Sequence, residues 1–269
     1  MTIDVRIIAD SINQSECRLT TFHLRYPRFI HSQVMTHRVF SRSAASSRAI
    51  PVATQIRSIR ADPAMPVEWS QNGRGMSPKS VLGEDLALVA NDVYRQALDR
   101  MLGYCEDLAK LGVHKQYANR LLEPFAHIDV VLSATDFKNF FALRLAHDAQ
   151  NEIRILAEKM LDVLTESTPS FLMPEEWHLP YVLPEEESLS LDIRRKISAA
   201  RCARVSYKAF NSDLPSSVED DIKLCNSLIK DVHASPFEHV AMALAGPYRI
   251  ANYRGWLQYR LLLDQTSQQ

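Results

Sequence analysis

Glycine is scarce in this chain, with seven in 269 residues. None falls in a G-x-G-x-x-G or G-x-x-x-x-G-K arrangement, so any dinucleotide or phosphate ligand is held without the usual glycine-rich turn. Cysteine is scarce as well. Cys17, Cys105, Cys202 and Cys225 lie far apart and form no C-x-x-C pair, which argues against a zinc cluster and a disulfide scaffold and for a reduced, cytoplasmic setting. Net charge is -1, leaving no global field to draw nucleic acid or an acidic membrane surface. No stretch approaches the roughly 20 apolar residues of a bilayer span, and Met1 to Asn13 has no signal-peptide pattern. At 46% hydrophobic, the chain is long enough for a substantial core, as one large domain or a domain with an appendage.

Acidic residues are missing from "MTHRVFSRSAASSRAIP", residues 35–51. His37, Arg38, Arg42 and Arg48 repel one another there, among Ser41, Ser43, Ser46 and Ser47. Closely set cations interleaved with hydroxyls suit a phosphate. The plainer reading is a basic solvated loop. With no global positive charge, the run favours a small anionic ligand over a polymer.

Residues 3–8 and 18–24 have strand character, and Pro27 breaks the second run. "RFIHSQVMTHRVFSR" suggests a short helix. Residues 51–82, with Pro51, Pro63, Pro66, Pro78, Gly73 and Gly75, suggest one long irregular loop. From Asp85 to Leu111, Leu86, Val89, Val93, Ala97, Met101, Tyr104, Leu108 and Leu111 recur at helical spacing, with Gly112 as the stop. A second long helix is predicted from about Asp136 to Glu166, burying Phe137, Phe140, Phe141, Leu145, Ile153, Ala157, Met160 and Leu164. Residues 167–189 read as a linker or extended wrap. Helices over Leu191–Tyr207 and Ser217–Val232 follow, then "HASPFEHVAMALAG", a turn into a strand.

One continuous helix from Asp136 would place Arg144, Asp148 and Asn151 on one side, with Asn139 and His147 nearby. The bland alternative is a solvated face with one i,i+4 pair worth roughly 0.3–0.5 kcal/mol. In His233 to His239 the set His, Glu, His hints at a metal, but Pro236 prevents helical presentation and a third partner is lacking. No metal is expected.

These segments together resemble the flavin-dependent thymidylate synthases. That family has an Arg-His-Arg triplet followed by a serine and an arginine; here the match is Thr36-His37-Arg38, then Ser46 and Arg48. Its later helix is matched by Ser133, Thr135, Asn139, Arg144 and "AQNEI" at 149–153, with Arg120 in the "NRLLEP" turn before it. The family's N-terminal elements also occur, as "RVSY" (204–207) and "HASPFEH" (233–239). In the family they precede the triplet, whereas here they follow it, so the chain resembles a rearranged or permuted member.

The resemblance implies FAD as cofactor, with His37, Arg38, Asn139, Ser206, His233, Ser235 and Glu238 around it. It implies a pyrimidine deoxynucleotide on Gln33, Ser46, Arg48, Arg120 and Arg144. Arg144 takes the catalytic role of stabilising charge that develops on the ring. The reaction implied is transfer of a one-carbon unit from methylenetetrahydrofolate to dUMP, with NADPH as reductant, in a homo-oligomer, by resemblance a tetramer. The implied fold is α+β, a small mixed or antiparallel sheet packed with long helices. Residues 1–185 would carry the basic motif and long helices, and residues 186–269 would form a flavin-binding part packing into the same core.

The departures carry their own meaning. Thr36 stands for the first arginine of the triplet, Ser43-Ala44 for an Asn-Glu pair, and Ser133 and Thr135 for Asn and Arg. A lost carboxylate at a base-reading position changes which pyrimidine edge is satisfied. The substrate could therefore be dCMP, or the product a hydroxymethyl nucleotide. Two rivals are a nucleotide-binding homologue that has lost catalysis and a nucleic-acid-binding protein. The balanced charge and the missing aromatic interleaving count against the latter.

Overall fold

The computed structural model describes residues 2–75, 78, 80–205 and 216–266. Two hairpin strands, β1 (Asp4–Asn13) and β2 (Arg18–Pro27), lead through a 3-10 turn at Arg28–Ile30 into a short helix α1 (His31–Met35) and strand β3 (Ser41–Ala44). Helices α2 (Val52–Ala61), α3 (Glu84–Lys110) and α4 (Lys115–Ala118) precede strand β4 (His127–Ala134). Helices α5 (Lys138–Arg144) and α6 (Asn151–Glu166) follow, then strands β5 (Ser170–Leu172) and β6 (Trp177–His178). The C-terminal block holds α7 (Leu191–Arg204), α8 (Val218–Lys230), β7 (Ala241–Ala243), β8 (Arg249–Ile250), β9 (Tyr253–Arg254), β10 (Trp256–Gln258) and α9 (Tyr259–Thr266). The architecture is α+β. One mixed sheet runs β3-β4-β2-β1-β5, with β5 parallel to β1 and the other pairs antiparallel. A smaller antiparallel sheet runs β10-β7-β6.

Strand alternation explains the packing. Phe22, Leu24 and Tyr26 of β2 and Val130 and Leu132 of β4 face one side, where α6 covers them with Ile153, Leu156, Ala157 and Met160. The other side of the same sheet is polar, and it is buried too. There Ser11 and Thr21 bond the two ring nitrogens of His178 at 2.8 Å each, and Thr21 meets Ser133 at 2.7 Å. Ser133 in turn bonds His239 Nδ1 at 2.8 Å, and His239 Nε2 meets Ser43 at 3.0 Å. Two histidines, His178 of β6 and His239 of the C-terminal block, are thus pegged into a row of hydroxyls crossing four strands. Every buried polar group in the row has a partner, which removes the cost of burying it. Gly255 completes the join. Its φ is +78°, and a Cβ there would lie 2.6 Å from Asn13 Nδ2 and 2.7 Å from Cys17 Cβ, so only glycine lets this turn approach β1.

The histidine pegs set an acid limit on stability. Burial holds His178 and His239 down at about 3, against an ordinary value of 6.5. Between those values the unfolded chain binds protons that the folded chain refuses, so stability is full above about pH 6.5 and declines as pH falls through that window. The carboxylates Asp10 and Glu186, held below their ordinary values by arginine partners against the opposing effect of burial, add to the loss only at lower pH. The expected result is a urea midpoint that already drops between about pH 6.5 and 5. A midpoint flat down to pH 4.5 would contradict it.

Three sequence expectations need correction. Residues 51–82 are not one loop: Val52–Ala61 is helical, with Ile56 and Ile59 packed against Leu98, Leu102 and Cys105 of α3. Pro51 sits just before the first helical residue, where it starts a helix and does not interrupt one. The helix expected over Asp136–Glu166 is two helices, broken at 145–150, with Gln150 extended (φ −57°, ψ 136°) at the start of α6. Arg144, Asp148 and Asn151 therefore do not share one helical face. Ser133 and Thr135 are not helical at all, since Ser133 lies in β4. On α3 the predicted boundaries agree, yet Leu86, Val89 and Val93 are about 60% exposed and only the second half packs inward.

Candidate functional site

The basic segment folds as a tight hinge between α1 and β3. Main-chain bonds from His37 to Val34 (3.3 Å) and from Phe40 to His37 (3.2 Å) bend it back on itself. This wedges the His37 ring between Phe40 and Phe140, at centroid distances of 5.7 and 5.0 Å. Arg144, at the end of α5, reaches the same point. Its Nε donates to His37 Nε2 at 3.0 Å, and one terminal nitrogen, Nη2, donates both to Thr36 Oγ1 at 3.1 Å and to the Gln33 main-chain oxygen at 3.4 Å. The helix break at 145–150 frees Arg144 to turn this way.

The electrostatics follow from these contacts. Burial and the nearby Arg144 and Arg42 charges push His37 below its ordinary value, opposed by a hydrogen bond with Asn139. His37 is therefore neutral, and its Nε2 accepts. Arg144 is itself disfavoured by desolvation, and its partners among the described residues (Gln33, Thr36 and His37) are all neutral. A half-buried guanidinium without a carboxylate partner has free capacity for an anion or a base edge.

A second group forms along β3. Arg42 donates to the carbonyls of Val34 and His37 at 3.1 Å each and lines a small cavity of about 160 Å³ with Ser43, His233, Ser235 and Pro236. His233 and Ser235 are exposed, while Glu238 is engaged by Arg260. The C-terminal "HASPFEH" segment and the N-terminal basic segment are thus neighbours in space despite the long separation in sequence.

A third group gathers at Glu123. Its carboxylate accepts from Ser47 Oγ (2.7 Å) and Arg120 (2.8 Å) and pairs with Arg28 (3.1 Å). Asn119 fastens the same loop through the Ser47 and Ile50 carbonyls. Ser46 and Arg48 sit on this loop, and Arg48 is exposed, as is Arg38. Arg120 is thus shared with a carboxylate rather than free.

Of the residues picked out by sequence, the structure brings Gln33, His37, Asn139 and Arg144 to one point. His233 and Ser235 meet Arg42, and Arg120 lies by the Ser46–Arg48 loop. Ser206 lies outside the described residues. Sequence reading passed over Arg28, Glu123, Gln150 and Glu152. The "AQNEI" match could have flagged the last two, but their role depends on the helix break. A cavity of about 440 Å³ opens beside them, lined by Phe29, Glu68, His147, Asp148, Gln150 and Glu152 among others.

The family model "Thymidylate synthase complementing protein" matches residues 15–170, more than half of the chain. The match covers all three groups except the C-terminal "HASPFEH" segment. No curated protein matches the chain by sequence. Among solved structures, the UMP/dUMP methylase PolB from Streptomyces cacaoi bound with 5-Br UMP is similar at a TM-score of 0.52 and 17% identity, covering 64% of this chain and 90% of that one. The same enzyme bound with 5-Br dUMP gives 0.51 and 18%, over 64% and 91%. At such identity the likeness speaks for the fold. With a family match over most of the sheet and the hinge that holds His37 and Arg144, the chain belongs to the thymidylate synthase complementing protein family.

Proposed function

We propose that this protein is a methyltransferase acting on a pyrimidine nucleotide, dUMP to dTMP, with methylenetetrahydrofolate as one-carbon donor, FAD as cofactor and NADPH as reductant. The observation that carries the reading is Arg144: a half-buried guanidinium whose partners among the described residues are all neutral, one of them a neutral histidine, against a segment of hydroxyls and cations. The similar fold of a UMP/dUMP methylase supports the same substrate class.

In this reading Arg144 bonds the pyrimidine edge and offsets negative charge that develops on the ring as C5 takes the one-carbon unit. Gln33, Ser46, Arg48 and Arg120 hold phosphate and base. FAD supplies hydride chemistry when bound. The residues present fit it by charge: exposed Arg38 and half-buried Arg42 suit a pyrophosphate, beside exposed His233 and Ser235, and Asn139, Glu238 and, by motif alone, Ser206 complete the set. The cavity at Arg42 is too small to enclose an isoalloxazine, which accords with a flavin lying between subunits of a homo-oligomer. No cysteine is set up as a nucleophile. All four are buried, and burial pushes the Cys202 and Cys225 thiols up, away from the reactive thiolate.

A second reading, dCMP as substrate, is favoured by positions 43 and 44. Ser43 turns inward onto His239 and Ala44 has no polar side chain, so neither supplies a carboxylate to a base. Incubating the protein with methylenetetrahydrofolate, NADPH and either nucleotide, then weighing the product, separates the two. Oxidised-flavin absorption with clean dTMP from dUMP is the expected result. Product from dCMP alone would move the assignment to the second reading, and no product from either would leave only nucleotide binding.

A further inference from the structure

Resting on that reading of Arg144, we propose that Glu152 is a positioning residue. Its carboxylate sets the donor–acceptor direction of an amide relay that ends on the Arg144 guanidinium. Glu152 opens α6 and is 3% exposed. One of its oxygens accepts from the Val67 main-chain N–H at 2.9 Å and the other from Gln150 Nε2 at 2.8 Å. A carboxylate only accepts, so Gln150 must turn its NH₂ toward Glu152 and its oxygen outward. That oxygen accepts from Gln33 Nε2 at 2.5 Å. Gln33 is then left with its own oxygen facing Arg144 NH1 at 3.5 Å. The last contact is long, and what matters there is its sign: an amide oxygen faces the cation.

The relay is directional because each amide has one accepting end and one donating end. Glutamine at position 152 keeps the shape and reverses the logic. The Val67 N–H is main chain and cannot turn, so the new amide gives it the oxygen and offers NH₂ to Gln150. Gln150 is exposed and turns easily. Gln33 then turns in its place and points NH₂ at the guanidinium, donor against donor. Moving the carboxylate two residues back, as Glu152→Gln with Gln150→Glu, restores the original sense. The amide at position 152 then gives its oxygen to Val67 and its NH₂ to the relocated carboxylate. That carboxylate also accepts from Gln33, and Gln33 keeps its oxygen on Arg144. A residue needed only for packing at position 152 does not distinguish the single variant from the exchange, because both carry glutamine there.

The test reads Arg144 directly. Its side-chain Nε–H signal in nitrogen-15 NMR is identified by its disappearance in Arg144→Lys, and dUMP binding is measured by titration calorimetry. Glu152→Gln is expected to shift that signal and speed its exchange with water, and to weaken dUMP binding about tenfold. The exchange variant is expected to restore both. An Arg144 signal unchanged in Glu152→Gln, or an exchange variant no better than the single one, overturns the relay. Should Glu152→Gln fail to fold, the exchange variant alone decides, by matching the wild-type signal or not. If wild-type protein binds no dUMP while the Arg144 signal follows the expected pattern, the relay stands and the nucleotide reading falls.

Discussion

Arg144→Lys is expected to fold normally and to lose about 10²- to 10³-fold in turnover, the usual scale for removing one donor aimed at developing charge. The reason lies in the fork. Arg144 spends Nε on His37 and Nη2 on Thr36 and Gln33, which fixes the plane of the guanidinium toward any bound ring. A lysine ammonium carries the same charge as a point on a flexible stem and cannot hold that plane. His37 would lose its fixed donor and Gln33 its orientation. Tritium release from labelled dUMP gives the rate, and the thermal midpoint gives the fold. A lysine variant within a few-fold of wild type would remove Arg144 from the chemistry. Because its partners are neutral, Gln33 and Thr36 are at least partly exposed and a lysine ammonium can still donate to the buried His37, the stability change should be small, so rate and stability separate cleanly.

The largest stability effect is expected at Arg201, on α7. Arg201 makes a two-pronged contact with Glu186 (2.6 and 2.8 Å), donates to Asp221 at 2.8 Å and caps the Tyr181 carbonyl at 2.8 Å. Asp221 is fully buried and also takes Arg204 and Ser216. Arg201→Ala leaves two desolvated carboxylates with too little positive charge, at a cost of about 3–5 kcal/mol. In a chain this long that lowers the thermal midpoint by roughly 6–20 °C. Arg60→Ala, which breaks the exposed pair with Glu106 at 2.8 Å, is the control and should change little, within about 1 kcal/mol. Equal midpoints for the two variants would refute the ranking. The cluster also matters to the site. It ties α7 to α8, and Ala199, Ala203 and Leu228 of those helices pack under Phe237 of the "HASPFEH" turn.

Local patterns carried α3, α7 and α8, because each has an apolar period of three to four residues with a cap: Ser190 and Ser217 accept at the starts of the latter two, and Gly112 follows the first at φ +78°. The hairpin was legible from alternation. Helix α2 was within reach, since Ile56 and Ile59 are spaced for one face, but four prolines over the surrounding stretch hid it. The break between α5 and α6 was not within reach. No proline or glycine marks it, and the contact that Gln150 makes there, with Gln33 of a distant segment, is not written in local spacing. Strand β3 was hidden for a related reason: its serines look like surface until β4 and His239 close over them.

By itself the sequence determined the ingredients: a neutral chain without a glycine cradle, a run of cations and hydroxyls, a later Asn139–Arg144 pair, and helices whose apolar spacing is local. Only the tertiary structure decided which ingredients meet. It set Arg144 on a neutral His37 and brought residues 233–235 beside Arg42. It also turned Ser11, Thr21, Ser43 and Ser133 into a buried row pegged by two histidines. The physical reason is one of range. Helical spacing is written in neighbours a few residues apart, whereas the protonation state of His37 and the free capacity of Arg144 depend on burial and on partners about a hundred residues away in the chain.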